Sequence, residues 1–194
     1  MQAIRTRYGT SELDVKNVPD IIYTFRARAD LPAEILEHGS YAIIGRGKGL
    51  YSFSQIPRPN RFLLPTRAER IDIERTIPEW VLPYMGNDEQ GMLTAIAHHD
   101  LVKRHLNLRQ TFRLQSHLRM GVPDYGQVEV DEIYAGETQS GEHIIIAVEA
   151  KDYSENDLLN VSQLFGTAQA LRTTFPHLHK KLLGVKPTPD GNIH

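Results

Sequence analysis

Apolar residues recur along this chain in two rhythms. Over residues 128–134 (Val-Glu-Val-Asp-Glu-Ile-Tyr) they alternate. That spacing sets Val128, Val130 and Glu132 on one side and Glu129, Asp131 and Ile133 on the other, the period of a half-buried strand. Residues 144–148 form an unbroken apolar run that ends directly in Glu149-Ala150-Lys151, as in a strand buried on both faces. The polar stretch Ala135–His143 between them holds Gly136 and Gly141, so the whole predicts a β-hairpin. Helical spacing appears upstream: Met92, Leu93, Ile96, Ala97, Leu101 and Val102 follow Asn87 as N-cap, with Asp88 and Glu89 in the first turn. A further helix is predicted after Lys151. It starts over Asp152–Asn156 and carries Leu158, Leu159, Val161, Leu164, Phe165 and Ala168 on its apolar face.

The front of the chain predicts a helix over Val18–Arg28, with Pro19 in its first turn, and a short one over Leu31–Glu37. Two short strands, 41–44 and 50–54, flank Gly45-Arg46-Gly47-Lys48-Gly49, a basic turn with Arg46 and Lys48 at its tip. That Gly-x-Gly-x-Gly lacks the lysine-serine of a P-loop and no helix follows it, so nucleotide binding is discounted. Ile56–Pro83 contains five prolines and reads as an irregular connector, with Trp80 and Tyr84 expected to pack at a domain junction. Arg67, Arg70 and Arg75 within it either track a nucleic-acid backbone or are solvated charges. Residues 109–126 admit a strand or a helix end, closing in a turn over 122–126. The tail from Lys186 to His194 is turn-like and expected to be mobile.

The 194 residues are 40% hydrophobic, enough for one ordinary domain and a small second one. No apolar run of membrane-spanning length occurs, and the first residues lack an apolar signal core. With no cysteine there is neither a disulfide framework nor a thiolate metal site. A cytoplasmic protein is expected. The net charge of −2 does not by itself suggest a nucleic-acid binder, but its distribution is uneven. Residues 1–61 hold nine Lys and Arg against six Asp and Glu, a net of +3, and the remainder is net −5. A basic front beside an acidic rear suits DNA contact by one and metal chemistry by the other.

The chemistry centres on the predicted hairpin. A turn near Gln139 or Ser140 sets Asp131 opposite a residue between Ala147 and Glu149. Glu149 and Lys151, two apart, share a face. One register therefore gathers Asp131, Glu149 and Lys151 at one rim of the sheet. Two carboxylates can hold a hard divalent cation, Mg²⁺ or Mn²⁺, which retains several waters. The cation would polarise a phosphate oxygen and lower the pKa of a bound water. Lys151 would orient or activate that water, or stabilise charge growing on phosphorus. Strand-end carboxylates and lysines are often only solvated edge charges or cross-strand pairs. The weight lies in the combination: an acid in an alternating strand, a turn, and an apolar run ending in Glu-x-Lys.

Glu129-Val-Asp131-Glu-Ile followed by Val148-Glu149-Ala-Lys151 resembles the core of the PD-(D/E)xK nuclease superfamily, which includes type II restriction endonucleases and archaeal Holliday junction resolvases. Val130 stands where the superfamily's proline would be. The resemblance spans roughly residues 85–175 and extends to a group of restriction-endonuclease-like bacterial proteins. It implies an α/β fold, with a mixed β-sheet flanked by helices. It maps the metal ligands onto Asp131 and Glu149 and the catalytic lysine onto Lys151. It further suggests Glu89 as a third carboxylate and Gln163 as a glutamine pointing back at the site. Alone, Glu89 suits a helix dipole, and Gln163 suits solvent equally well. The front part resembles a winged-helix DNA-binding module, with Arg26, Arg28, Arg46 and Lys48 as DNA contacts. The division expected is a module over 1–60, a connector over 61–84 and a nuclease core over 85–194.

Histidines complete the inventory. His98 and His105 are seven apart, hence on one side of a continuous helix, but a third zinc ligand is not evident. Surface or DNA-facing histidines are expected. The activity implied is Mg²⁺-dependent hydrolysis of DNA phosphodiesters, with restriction-type cutting of both strands favouring a homodimer. Two alternatives stand beside it: a nuclease-like DNA-binding regulator without activity, and an enzyme acting on RNA or a branched junction.

Overall fold

The structure, a computed structural model, describes residues 18–62, 76–86, 88–152, 154–187 and 193. It is a mixed α/β arrangement of mainly antiparallel sheets flanked by a few helices. Helix α1 (Val18–Tyr23) widens into a π-helical turn over Thr24–Arg28, and α2 is short, Ala33–Leu36. Strands β1 (Tyr41–Gly45) and β2 (Tyr51–Gln55) form the antiparallel basic-tipped hairpin, with Gly45 opposite Tyr51. Strand β3 (Arg61–Phe62) precedes α3 (Glu89–His98) and α4 (Leu101–His105). The main sheet comprises β4 (Gln110–Val122), β5 (Gly126–Glu137), β6 (His143–Ala150) and β8 (His179–Val185), in the order β4-β5-β6-β8. Its first three strands are antiparallel, and β8 lies parallel to β6. Between β6 and β8 the chain passes through β7 (Leu159–Asn160), which pairs with β3, and helix α5 (Val161–Thr174).

Strand β6 is buried on both faces. Ile145 and Ala147 join one core, with Ala42, Ile44, Val122, Tyr125, Val130 and Leu171. Ile144, Ile146 and Val148 join the other, with Met92, Leu93, Ile96 and Val102. The first core lies under α5 and the β1–β2 hairpin and the second under α3 and α4. Ala42 and Ile44 thus share a core with the main sheet. Segment 109–126, open between strand and helix, is the long strand β4 and its turn into β5.

Several local expectations change. Helix α3 is capped by Asp88, whose carboxylate accepts from Gly91 N at 3.0 Å. Asn87, expected in that role, lies outside the described residues, as do Arg67, Arg70 and Arg75. The single helix expected through Val102 is two, because Asp100 adopts a left-handed conformation, φ 52°, between them. His98 and His105 accordingly stand on different helices. The helix after Lys151 begins only at Val161; Leu159 is spent pairing with Phe62 in a strand. Its buried face is Ser162, Gly166, Thr167, Ala170 and Leu171 rather than the larger apolar residues. Trp80 and Tyr84 do not pack at a junction: they are 72% and 83% exposed, on surface turns that point them into solvent. Alternation in β5 breaks after Val130. Ile133 joins Val130 in one core, while Glu132 turns to Tyr134, which belongs to the other. Opposite this break β4 is irregular, its register shifting between Arg113 and Gln115 and His117 left-handed at φ 49°. Such bulges increase strand twist. Lys186, assigned to a mobile tail, is fixed by three hydrogen bonds. No helix among the described residues is long and apolar enough to cross a membrane.

Candidate active site

The β5–β6 ladder places Glu132 opposite Val148 and ends there. Continued by one step, that register would put Asp131 against Glu149, the last residue of the predicted range. Instead of pairing through its backbone, Asp131 accepts from Ala150 N through Oδ2 at 2.8 Å. The carboxylate takes over an amide that the ladder leaves unpaired, which fixes its direction at the sheet rim.

Glu149 is fully buried. Both its oxygens are engaged by α5: Gln163 Nε2 donates to one and Thr167 Oγ1 to the other. The helix delivers these donors four residues apart, on one face. Its first turn is set by Asn160, whose Oδ1 accepts from Gln163 N at 2.7 Å as N-cap. Lys151 is buried too, its ammonium between two acids: 3.8 Å from Glu89 Oε1 and 3.6 Å from Asp157 Oδ1. The five residues expected at the site, Glu89, Asp131, Glu149, Lys151 and Gln163, are therefore gathered in one place.

Asp157 escaped the sequence reading, because it lies in an irregular loop six residues past Lys151. It accepts from Asp152 N at 2.8 Å. Lys186 Nζ stitches the same loop by donating to the carbonyls of Asp152, Ser154 and Asp157, each at 2.8 Å. No motif marks Lys186; only the return of β8 beside β6 brings it there.

Charge at the site is unbalanced. Four carboxylates (Glu89, Asp131, Glu149, Asp157) surround a single buried cation, Lys151. Burial pushes the Glu149 carboxyl up to about 8, and the neighbouring Asp131 charge adds to the rise. Burial likewise raises Glu89 to about 7 against the pull of Lys151. Asp131 is raised by burial despite the Ala150 amide. These groups resist ionising without additional positive charge. A hard divalent cation fits that need, since Mg²⁺ takes one or two carboxylates and keeps its remaining waters. Asp131 and Glu149 would hold it. Among the described residues no three His, Asp or Glu side chains form a ready-made cage. Glu132, by contrast, is raised by burial but already served by Tyr134, Arg113 and Ser116; it is a structural carboxylate.

Glu89, Asp131, Lys151, Asp157 and Gln163 open into a cleft of about 450 Å³. The N-terminal part contributes Tyr23, Arg26 and Arg28 to the same lining. Arg26 donates to Tyr125 Oη at 2.8 Å, and Tyr125 Oη donates to the carbonyl of Ser162 at 2.9 Å. Gly166 lets α5 pass that ring: a Cβ there would stand 2.6 Å from the Tyr125 hydroxyl. Arg46 and Lys48 lie away from the cleft wall, exposed on the β1–β2 hairpin tip; Arg46 donates to Ser52 Oγ at 2.9 Å. Glu129 also lines the cleft, and Arg119 holds it below the usual carboxylate range.

Comparison with protein-family models, curated proteins and solved structures finds no match; what the site can do is therefore argued from its own geometry.

Proposed function

We propose that this protein is a metal-dependent endonuclease that hydrolyses DNA phosphodiester bonds. The observation that carries the proposal is the cleft itself. Its lining joins a surplus of carboxylates around one buried lysine with two arginines of the N-terminal part. An anionic backbone would lie along the arginines with a phosphate facing Lys151. The bound divalent cation would supply Lewis-acid polarisation of that phosphate.

The remaining steps belong to this chain. Lys151, steered by Glu89 and Asp157, orients the attacking water and offsets charge building on the phosphoryl oxygens. The water oxygen bonds to phosphorus as the bond to the leaving sugar oxygen breaks. Glu89, ionised and with its pKa raised to about 7, takes the water's proton, and the leaving sugar oxygen takes one from solvent water. Gln163 and Thr167 hold Glu149 in a fixed direction, so that little reorganisation is needed during the reaction. In this proposal the mixed sheet with its flanking helices is a restriction-endonuclease-like core. The helices and basic hairpin of the front part act as a winged-helix-like DNA contact, through Arg26, Arg28, Arg46 and Lys48.

Plasmid cleavage tests it, with Mg²⁺ and with EDTA, for wild type, Lys151→Ala and Asp131→Ala. Metal-dependent cutting that falls about 100-fold or more in both variants is expected. Intact DNA binding without cutting of duplex, single-stranded or branched DNA would mean an inactive DNA-binding protein instead.

A further inference from the structure

The β1–β2 hairpin exposes aromatic rings that its core does not use. Tyr51 is 43% exposed and Phe53 57%, although β1 beside them is buried from Ala42 to Gly45. Residues two apart on a strand face the same way, ~7 Å apart, about the span of two stacked nucleotides in a single strand. Cations accompany these rings. The Arg26 guanidinium lies 5.9 Å from the Tyr51 ring centre and 5.3 Å from that of Tyr125. Arg28 sits 4.8 Å over Tyr23, a half-exposed ring on the cleft wall. The strip thus starts with two rings, Phe53 and Tyr51, and continues through Arg26 to Tyr23 and Arg28. The strip runs into the cleft that holds Asp131 and Lys151.

We infer that this strip is a stacking platform for unpaired bases, so that the substrate carries single-stranded DNA beside the phosphate to be cut. Every base offers a π-face, whereas a paired base keeps its face inside the duplex. Rings with arginines beside them therefore select single strands without selecting sequence. The charge is complementary, since the Arg26 and Arg28 guanidinium groups of the strip meet an anionic backbone. A tail stacked along Tyr51 and Phe53 would lead its backbone past Arg26 and Arg28 towards Lys151. This inference rests on the nuclease proposal for the direction of the strand, not for the binding itself.

Fluorescence anisotropy in EDTA, where no metal-dependent cutting occurs, tests the binding separately. The probes are a single-stranded oligonucleotide of about 12 nucleotides, a blunt duplex of equal length, and that duplex with a 3′ or 5′ single-stranded tail. The single strand and one tailed duplex are expected to bind at least about tenfold more tightly than the blunt duplex. The double variant Tyr51→Ala/Phe53→Ala should lose that advantage and keep its weak duplex binding. Tyr51→Phe/Phe53→Tyr should retain it. Both pairs of changes are on exposed side chains, and unchanged thermal melting would confirm that the fold survives. Equal affinity for blunt and tailed DNA, or an equal loss on both in the alanine variant, would overturn the platform. Selective tail binding without Mg²⁺-dependent cutting would uphold the platform and sink the nuclease proposal. Efficient cutting of blunt duplex by the alanine variant would do the reverse.

Discussion

Glu149 shows what a single side chain costs here and why it is retained. A carboxyl held near 8, against an ordinary 4.5, binds its proton more tightly folded than unfolded. Glu89 behaves in the same sense. Such groups stabilise the fold below the unfolded pKa, and that stability is lost as pH rises through the folded value. Without metal, the melting temperature should therefore fall between about pH 4.5 and pH 8. Added Mg²⁺ should reverse the fall at the alkaline end, where Glu149 is ionised and can bind it together with Asp131. Glu149→Gln should flatten the profile in EDTA and abolish the gain from Mg²⁺. A profile in Glu149→Gln identical to wild type would refute the role given to this residue. The positions of Asp131, Glu149 and Lys151 were legible in the sequence, because a strand's period of two and a turn of known centre nearly fix a register. Asp157 and Lys186 were not, since their placement depends on a loop and on a strand returning from elsewhere. Lys186→Met should loosen Lys151 and lower cleavage more at limiting than at saturating Mg²⁺, and Lys186→Arg should recover part of it. A Lys186→Met enzyme with the wild-type Mg²⁺ dependence would show that the stitched loop serves only the fold.

Helix α5 joins the site to the core. Its entry in the sequence pattern was misplaced because Leu158 and Leu159 fit the helical spacing, whereas the helix starts only at Asn160, the residue able to cap. Its inner face holds small residues, which a search for large apolar positions overlooks. Small size is what permits the approach to Tyr125. Gly166→Ala should push the Tyr125 ring and with it Arg26, weakening DNA binding while Glu149 keeps both its donors. Asn160→Ala removes a cap from a buried helix start, and should cost about 1–2 kcal/mol in urea denaturation. Because Gln163 is placed by that cap, cleavage should fall further than the stability loss explains. The alternation in β5 fails at Glu132 for a related reason: the break is matched to an irregularity in β4, a partner strand that the local pattern cannot anticipate.

Across the whole molecule, the basic front and acidic rear legible in the charge distribution both supply residues to one cleft. What the composition did not reveal is how closely they are joined. Ala42 and Ile44 share a core with Val130 and Leu171. Ile44→Ala should therefore lower the stability of the whole fold, by about 2–5 kcal/mol in one transition, and not melt the hairpin alone. Two separate transitions would contradict that. Asn60 is the tightest link: its Oδ1 accepts from Ser162 N and Oγ, at 3.2 and 3.1 Å, and its carbonyl accepts from Val161 N at 2.7 Å. Its amide reaches the carbonyl of Arg26 at 3.5 Å. One residue thus ties the turn that carries the arginines to the helix start that aims Gln163 at Glu149. If that tie makes the cation bind more tightly once DNA occupies the arginine wall, reciprocity requires DNA to bind more tightly to the metal-loaded protein by the same factor.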